Sequence, residues 1–161
     1  MGARRQLRLV EAGSQAPGFR LARLDGGEAA LGDLLLEGPV LLAFFKVTCP
    51  VCQMTFPYLE RLSTAGYRVF GISQNDPEDT REFNREFGIT FPTLLDSEDS
   101  SFPASNAYGL SSVPTLFLID ADGSVRRVIE GWNKQDMEWL ADRTGAPLFT
   151  DADRVPLIKP G

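Results

Sequence analysis

The chain has 161 residues, of which 43% are apolar and 24% charged, with two cysteines and no histidine. This length and composition are typical of one soluble folded domain and not of a disordered segment. The absence of histidine excludes Ser-His-Asp and Cys-His catalysis and histidine-ligated metals, and two cysteines cannot form a four-thiolate zinc site within one chain. The net charge of −6 counts against nucleic-acid binding as the main function.

The predicted elements are strands and helices that largely alternate along the chain. In chain order they are a hairpin at 21–31, a helical turn at 32–36, a strand at 40–46, a helix at 50–65, a strand at 67–73, a helix at 76–87, an extended piece at 91–95, a helical turn at 104–108, a hairpin at 115–130 and a helix at 134–144. Strands joined through helices require right-handed parallel crossovers. The order therefore predicts an α/β fold, with a central mixed sheet flanked by helices on both faces and an N-terminal β-hairpin extension.

No linker or internal repeat divides the chain, so we expect residues 1–161 to form a single domain, with a core at about 16–145 and a tail at 146–161. The tail segment 155–158 is predicted to cover an apolar face or a sheet edge, or to contact a second copy. The longest apolar run, 39–45, is too short to cross a membrane, and the first residues lack the apolar core of a secretory signal. Unless a leader has been removed, the sequence predicts a cytoplasmic protein.

The two cysteines, Cys49 and Cys52, form a Cys-Pro-Val-Cys motif where a predicted buried strand gives way to a predicted helix. Free N–H groups and the positive end of the helix dipole stabilise a thiolate at such a helix start. Cys49 is therefore the expected nucleophile, and Cys52, one turn later, is placed to resolve a mixed disulfide. The alternatives are two buried structural cysteines, or half of a metal site shared between two chains in a non-catalytic module.

The strand–Cys-x-x-Cys–helix arrangement, with Pro57 eight residues after the first cysteine, resembles the thioredoxin fold. Ser-Val-Pro-Thr at 112–115 is similar to the cis-proline loop of that fold. Further segments resemble the redoxin and alkyl hydroperoxide reductase/thiol-specific antioxidant group, at 16–19, 24–26, 31–34, 91–96 and 118–123. The resemblance covers about residues 16–145. It implies a cis peptide bond at Pro114, beside the cysteines, and a Val113 whose backbone pairs with an extended substrate.

The resemblance implies two activities. The first is a thiol–disulfide oxidoreductase that exchanges with a protein or small-molecule disulfide and a cellular thiol reductant. The second is a peroxiredoxin-like peroxidase that reduces hydroperoxides, with Cys52 matched to the peroxidatic cysteine. The segment 71–78 favours the peroxidase. Peroxiredoxins carry Thr or Ser where this chain has Cys49, and Pro where it has Phe45, and these departures favour the oxidoreductase.

For the oxidoreductase we expect no cofactor beyond the redox-active disulfide Cys49–Cys52, and no bound metal. No nucleic-acid or membrane partner is expected, and the chain is predicted to be either a monomer or a homodimer.

Several residues are candidates for tuning the pKa of the two thiols because of their positions in the sequence. Thioredoxins carry a buried Asp six residues before the first cysteine and a Trp directly before it, where this chain has Ala43 and Thr48. Lys46 is a candidate source of positive charge near the thiolate. Asn75 and Asp76 lie near the place where related redoxins carry a Glu that handles the proton of the resolving thiol. Acids at this place also suit the start of the next helix as caps.

Overall fold

The computed structural model describes residues 8–161 as a sheet with helices on both faces. The strands are β1 (Arg20–Arg23), β2 (Glu28–Ala30), β3 (Val40–Phe45), β4 (Val69–Ser73), β5 (Thr93–Leu95), β6 (Thr115–Ile119), β7 (Val125–Glu130), β8 (Trp132–Asn133) and β9 (Ile158–Lys159). The helices are α1 (Leu31–Leu35), α2 (Pro50–Thr64), α3 (Pro77–Phe87), α4 (Pro103–Ala107) and α5 (Lys134–Asp142), with a 3-10 turn at Glu98–Ser100. The predicted α/β fold with an N-terminal hairpin is confirmed.

Seven strands form one mixed sheet in the spatial order β2-β1-β5-β4-β3-β6-β7. Strands β3, β4 and β5 are parallel, whereas β6 pairs antiparallel with β3 and β7 antiparallel with β6. All six residues of β3 are buried, as expected for a strand covered on both faces. Because β3 and β4 are parallel neighbours, the loops that follow them, 46–49 and 74–76, leave the sheet at the same edge.

The sheet separates two hydrophobic clusters, and adjacent residues of β3 contribute to both because side chains alternate across a strand. On one face Phe45 packs against Phe56 of α2 and Phe83 of α3, with ring centroids 4.3 Å and 4.9 Å away. On the other face Phe44 packs against Tyr108, with centroids 5.3 Å apart. The face that contains Phe56 also contains Cys52, so the cysteine helix is fixed by the larger core.

The C-terminal tail is attached along much of its length. Leu148 is buried, and Arg61 of α2 donates a hydrogen bond to its carbonyl oxygen at 3.0 Å. The same guanidinium forms an ion pair with Asp153 at 2.8 Å. Trp132 Nε1 donates to the carbonyl oxygen of Pro156 at 2.6 Å, and β9 then pairs antiparallel with β8. The tail thus pairs with β8, whereas Leu157 and Ile158 stay exposed, so the prediction that 155–158 covers an apolar face, a sheet edge or a second copy stays a prediction.

Several element ends differ from the predicted ones by one or two residues. Strand β4 begins at Val69 and not at 67, because the Tyr67 N–H bonds to the Leu62 carbonyl and closes the turn after α2. Of the helices within 8–161, none combines the length and the apolar character needed to span a bilayer. The assignment of 1–161 to a single domain stays a prediction.

Candidate active site

Cys49 lies where the loop after β3 becomes helix α2. It is the N-cap residue, with φ −82° and ψ 114°, and its Sγ accepts a hydrogen bond from the Cys52 N–H at 3.2 Å. Pro50 suits the first helical position because its missing N–H would have no partner there. The sulfur therefore takes the place of the oxygen in an ordinary N-cap, at the positive end of the helix.

Cys52 differs from Cys49 in its surroundings. Its side chain is fully buried, whereas that of Cys49 is half-buried. Burial is the main cause that raises the pKa of the Cys52 thiol far above its ordinary value, and the hydrogen bond with the Cys49 side chain raises it further. Cys52 is therefore a neutral thiol at physiological pH, and Cys49 is the one that a reagent reaches first.

The loop before β6 lies against the Cys49 sulfur. The peptide bond between Val113 and Pro114 is cis, as the family resemblance implies. The Cys49 thiol donates to the Val113 carbonyl oxygen at 3.4 Å, which joins segments that are 64 residues apart in the chain. The Pro114 carbonyl accepts from the Gly131 N–H at 2.8 Å and ties this loop to the end of β7. The structure thus brings together the two cysteines and the cis-proline loop.

Two side-chain amides hold the loop that precedes Cys49. Asn75, just after β4, accepts from the Val47 N–H at 2.9 Å, and Gln53 Nε2 donates to the Val47 carbonyl at 2.9 Å. Asn75 therefore bonds to the backbone two residues before Cys49. The sequence reasoning missed Gln53. The available signal was its place one turn after the first cysteine, because helical side chains lean back over the preceding turn.

The remaining candidates occupy different places. Lys46 and Thr48 are exposed, and Lys46 lines a cavity of about 130 Å³ together with Val113. The carboxylate of Asp76 accepts from the Asp79 N–H at 2.9 Å, so that Asp76 caps helix α3. Lys46 therefore borders the cysteine site, whereas Asp76 serves the start of the neighbouring helix.

An open cavity of about 530 Å³ lies at the opposite edge of the sheet, where β3 and β4 begin. Its lining includes Tyr67, Arg68 and Arg143. Within residues 8–161 no group of three or more Cys, Asp or Glu side chains is arranged to hold a metal ion. The chemistry offered by the residues of the cysteine site is that of two thiols.

The model of the AhpC/TSA family matches residues 12–128. The chain belongs to the AhpC/TSA family. It is also 35% identical over 135 residues to the thiol-disulfide oxidoreductase ResA of Geobacillus thermodenitrificans, a match that covers 80% of this chain and 75% of that protein. The predicted redoxin-group membership is confirmed, and so is the prediction of a thiol–disulfide oxidoreductase.

Solved structures of this fold include members of both functional classes. The thioredoxin domain of a thiol-disulfide oxidoreductase from Bacteroides vulgatus has a TM-score of 0.72 at 22% identity, covering 83% of this chain and 97% of that one. The peroxidoxin BcpB of Mycobacterium tuberculosis has a TM-score of 0.67 at 23% identity, covering 83% and 93%. These similarities establish the thioredoxin-like fold of this AhpC/TSA protein, and a fold shared by both classes does not by itself assign the roles of the two cysteines.

Proposed function

We propose that this AhpC/TSA protein exchanges disulfides with Cys49 as the attacking thiolate and Cys52 as the resolving thiol. The observation that carries this assignment is the asymmetry of the pair. Cys49 caps a helix at a half-buried position, whereas Cys52 is fully buried with a raised thiol pKa. Thiol–disulfide exchange needs one accessible thiolate and a second thiol close enough to resolve the mixed disulfide.

In the reductive direction, the Cys49 thiolate attacks one sulfur of the partner's disulfide. That S–S bond breaks, its other sulfur leaves as a thiolate that takes up a proton, and a mixed disulfide joins Cys49 to the partner. Cys52 then attacks Cys49 Sγ, and the second partner sulfur leaves as a thiol that takes up the proton given up by Cys52. The partner gains two electrons, and a cellular thiol reductant returns the Cys49–Cys52 disulfide to the dithiol.

The surroundings of Cys49 support its role as the attacking group. The Cys52 N–H and the dipole of α2 both favour negative charge on the sulfur. Lys46 adds positive charge at the border of the site, and Thr48, directly before Cys49 in the chain, is exposed. We assign Asn75 a positioning role through Val47 and assign no proton transfer to Asp76, since its carboxylate caps α3.

The burial of Cys52 counts against a peroxidase in which this residue attacks the peroxide. A neutral thiol without solvent access is a poor nucleophile, because the thiolate is the reactive form. Rapid mixing with hydrogen peroxide tests this choice. We expect oxidation no faster than that of free cysteine, and a much faster reaction would favour the peroxidase.

The proposed reaction accepts disulfides of two classes. A disulfide in an extended polypeptide is bound through the backbone of Val113 beside Pro114. A small-molecule disulfide needs only the Cys49 sulfur. The choice between monomer and homodimer stays a prediction, which sedimentation of the reduced protein checks. The cytoplasmic location also stays a prediction, and fractionation of cells that produce the tagged full-length protein checks it.

Trapping experiments test the assignment of the two cysteines. The Cys52→Ala variant should accumulate a mixed disulfide with insulin, because nothing displaces the partner from Cys49. The Cys49→Ala variant should form none, and the wild type should accelerate the reduction of insulin by dithiothreitol. The proposal fails if neither variant traps insulin and the wild type leaves the reduction rate unchanged.

A further inference from the structure

The segment 159–161 of the tail lies against the carbonyl group that faces Cys49. Strand β9 pairs with β8 in the register Trp132–Lys159, and the two residues that follow run to the cis-proline loop. A Cβ atom on Gly161 would overlap the Val113 carbonyl oxygen, so the Gly161 backbone is in close contact with that oxygen. The same oxygen lies 3.4 Å from Cys49 Sγ.

A second glycine forms the other wall of this contact. Gly131 has a φ of +67°, and a Cβ there would lie 2.6 Å from the Lys159 carbonyl oxygen and 3.0 Å from the Gly161 nitrogen. Gly131 also donates to the Pro114 carbonyl at 2.8 Å. Residues 159–161 thus lie in a groove between the cis-proline loop and Gly131 that fits an extended backbone, since a side chain at position 131 would obstruct it.

Most attachments of the tail lie before the groove, and the pairing of Lys159 with Trp132 is the one that must open before the segment can leave it. The Leu157 carbonyl accepts from the Lys134 N–H at 2.8 Å, and Pro156 accepts from the indole of Trp132. Leu157 and Ile158 are 56% and 64% exposed, and β9 is only two residues long. Segment 159–161 can therefore leave the groove while the anchors at 156–157 and the ion pair of Asp153 stay in place.

We propose that segment 159–161 occupies the position on Val113 that an extended polypeptide substrate takes, and so selects against polypeptide disulfides relative to small ones. The inference rests on the proposed function, in which the Val113 backbone binds substrate. A strand that pairs with Val113 must displace the Gly161 backbone, whereas a small disulfide reaches the Cys49 sulfur from solvent. The segment is thus a specificity element for the substrate of Cys49.

Two variants of the full chain and one control test this competition. Gly161→Ala places a methyl group where the Val113 oxygen lies, and deletion of Lys159–Gly161 removes the segment but keeps the bond of Leu157. Asp151→Ala is the control, because Asp151 is an exposed tail residue. The substrates are N-acetylcysteine and a linear peptide with one cysteine, each carrying the same thionitrobenzoate group in disulfide linkage. Attack by Cys49 releases the coloured thiolate from either, which gives matched rate constants.

Both variants should raise the rate constant for the peptide about fivefold or more. The reason is that the groove beside Val113 is then empty in a larger fraction of the protein molecules. The rate constant for N-acetylcysteine should stay within about twofold, and Asp151→Ala should change neither. An unchanged or lower peptide rate in both variants would overturn the inference. If circular dichroism shows that the deletion variant is unfolded, the peptide rate constant of Gly161→Ala alone tests the inference. If the wild type reacts with both reagents no faster than Cys49→Ser, the proposed function fails, which is a separate outcome.

Discussion

Helices α2 and α3 begin in the same way at the same edge of the sheet. Each follows a parallel strand, has proline at its first position (Pro50 and Pro77) and has an N-cap side chain that accepts from a backbone N–H three residues later. The distances are 3.2 Å to the sulfur of Cys49 and 2.9 Å to the carboxylate of Asp76. One backbone arrangement therefore serves two purposes, and the atom of the cap decides which: a carboxylate only stabilises the helix, whereas a sulfur can also form a covalent bond.

The surroundings of the two caps differ as much as the atoms. The Cys49 sulfur faces a third segment, through its contact with the Val113 carbonyl at 3.4 Å, whereas Asp76 is exposed to solvent. A reactive cap needs a neighbouring surface that holds the substrate against it. A stabilising cap needs only its own helix.

The Cys49→Ser variant gives the largest expected effect. The hydroxyl keeps an N-cap acceptor, so the free energy of unfolding should stay within about 1 kcal/mol of the wild type. Exchange should fall to the background rate of the reagents, since the sulfur is gone. Insulin reduction and urea unfolding measure the two quantities. If the variant still exchanged disulfides, Cys52 would be the attacking residue, and the cap formed by Cys49 would not be the reactive one.

The alkylation of the two thiols should differ by about a hundredfold or more, because one is accessible and the other is buried and protonated. Iodoacetamide labelling between pH 6 and 9, resolved by mass spectrometry, measures each rate. Cys49 should react first, and Cys52 should react only when the protein unfolds. Equal rates in the folded protein would contradict the asymmetry on which the proposed roles depend.

The raised pKa of Cys52 also predicts how stability depends on pH. Above 9.0, the ordinary pKa of the thiol, the unfolded chain releases this proton while the folded chain keeps it. The free energy of unfolding should therefore fall as pH rises above that value. Urea unfolding at pH 8 and pH 10 measures the fall, and it should be smaller in Cys52→Ala. If the free energy of unfolding fell equally in the wild type and in Cys52→Ala, a titrating group other than Cys52 would be the cause.

Removing the amide of Asn75 should have an intermediate effect. Asn75→Ala leaves the Val47 N–H without its acceptor at 2.9 Å, at a cost of about 1 kcal/mol in the free energy of unfolding. The loop before Cys49 loosens, and we expect the rate of insulin reduction to fall about threefold. Asn75→Asp, which keeps an acceptor oxygen, should restore the stability. Full activity in Asn75→Ala would remove its positioning role.

Loss of the carboxylate cap should give the smallest effect on exchange. Asp76→Ala removes the acceptor of the Asp79 N–H and should lower the free energy of unfolding by about 1 kcal/mol. Exchange should stay within about twofold of the wild type, because this cap serves α3 alone. Asp76→Asn, which keeps a capping oxygen, is the matched control. If Asp76→Ala lost most of its exchange activity but kept its stability, Asp76 would have a role in the reaction itself, such as proton transfer.

Local signals predicted both helix starts, because the strand, the cap and the proline lie within a few residues of one another. The contact between Cys49 and Val113 was expected only through the family resemblance, since no local pattern relates residues 64 apart. The bond between Asn75 and Val47 spans 28 residues and carries no periodic signal. Strand β9 was not predicted as a strand, because two residues show no alternation and its partner β8 is equally short.

The attachment of the tail to α2 has a quantitative consequence for the groove beside Cys49. The ion pair between Arg61 and Asp153, together with the hydrogen bond between Lys134 and Leu157, keeps segment 159–161 near Val113 even when the segment has left the groove. Tethering of this kind gives a local concentration in the millimolar range or above, as it does for short flexible linkers. A contact too weak to hold two separate peptides together is then sufficient to fill the groove. The local concentration of segment 159–161 does not change when the protein is diluted. Selection among substrates is therefore independent of how much of the protein a cell contains.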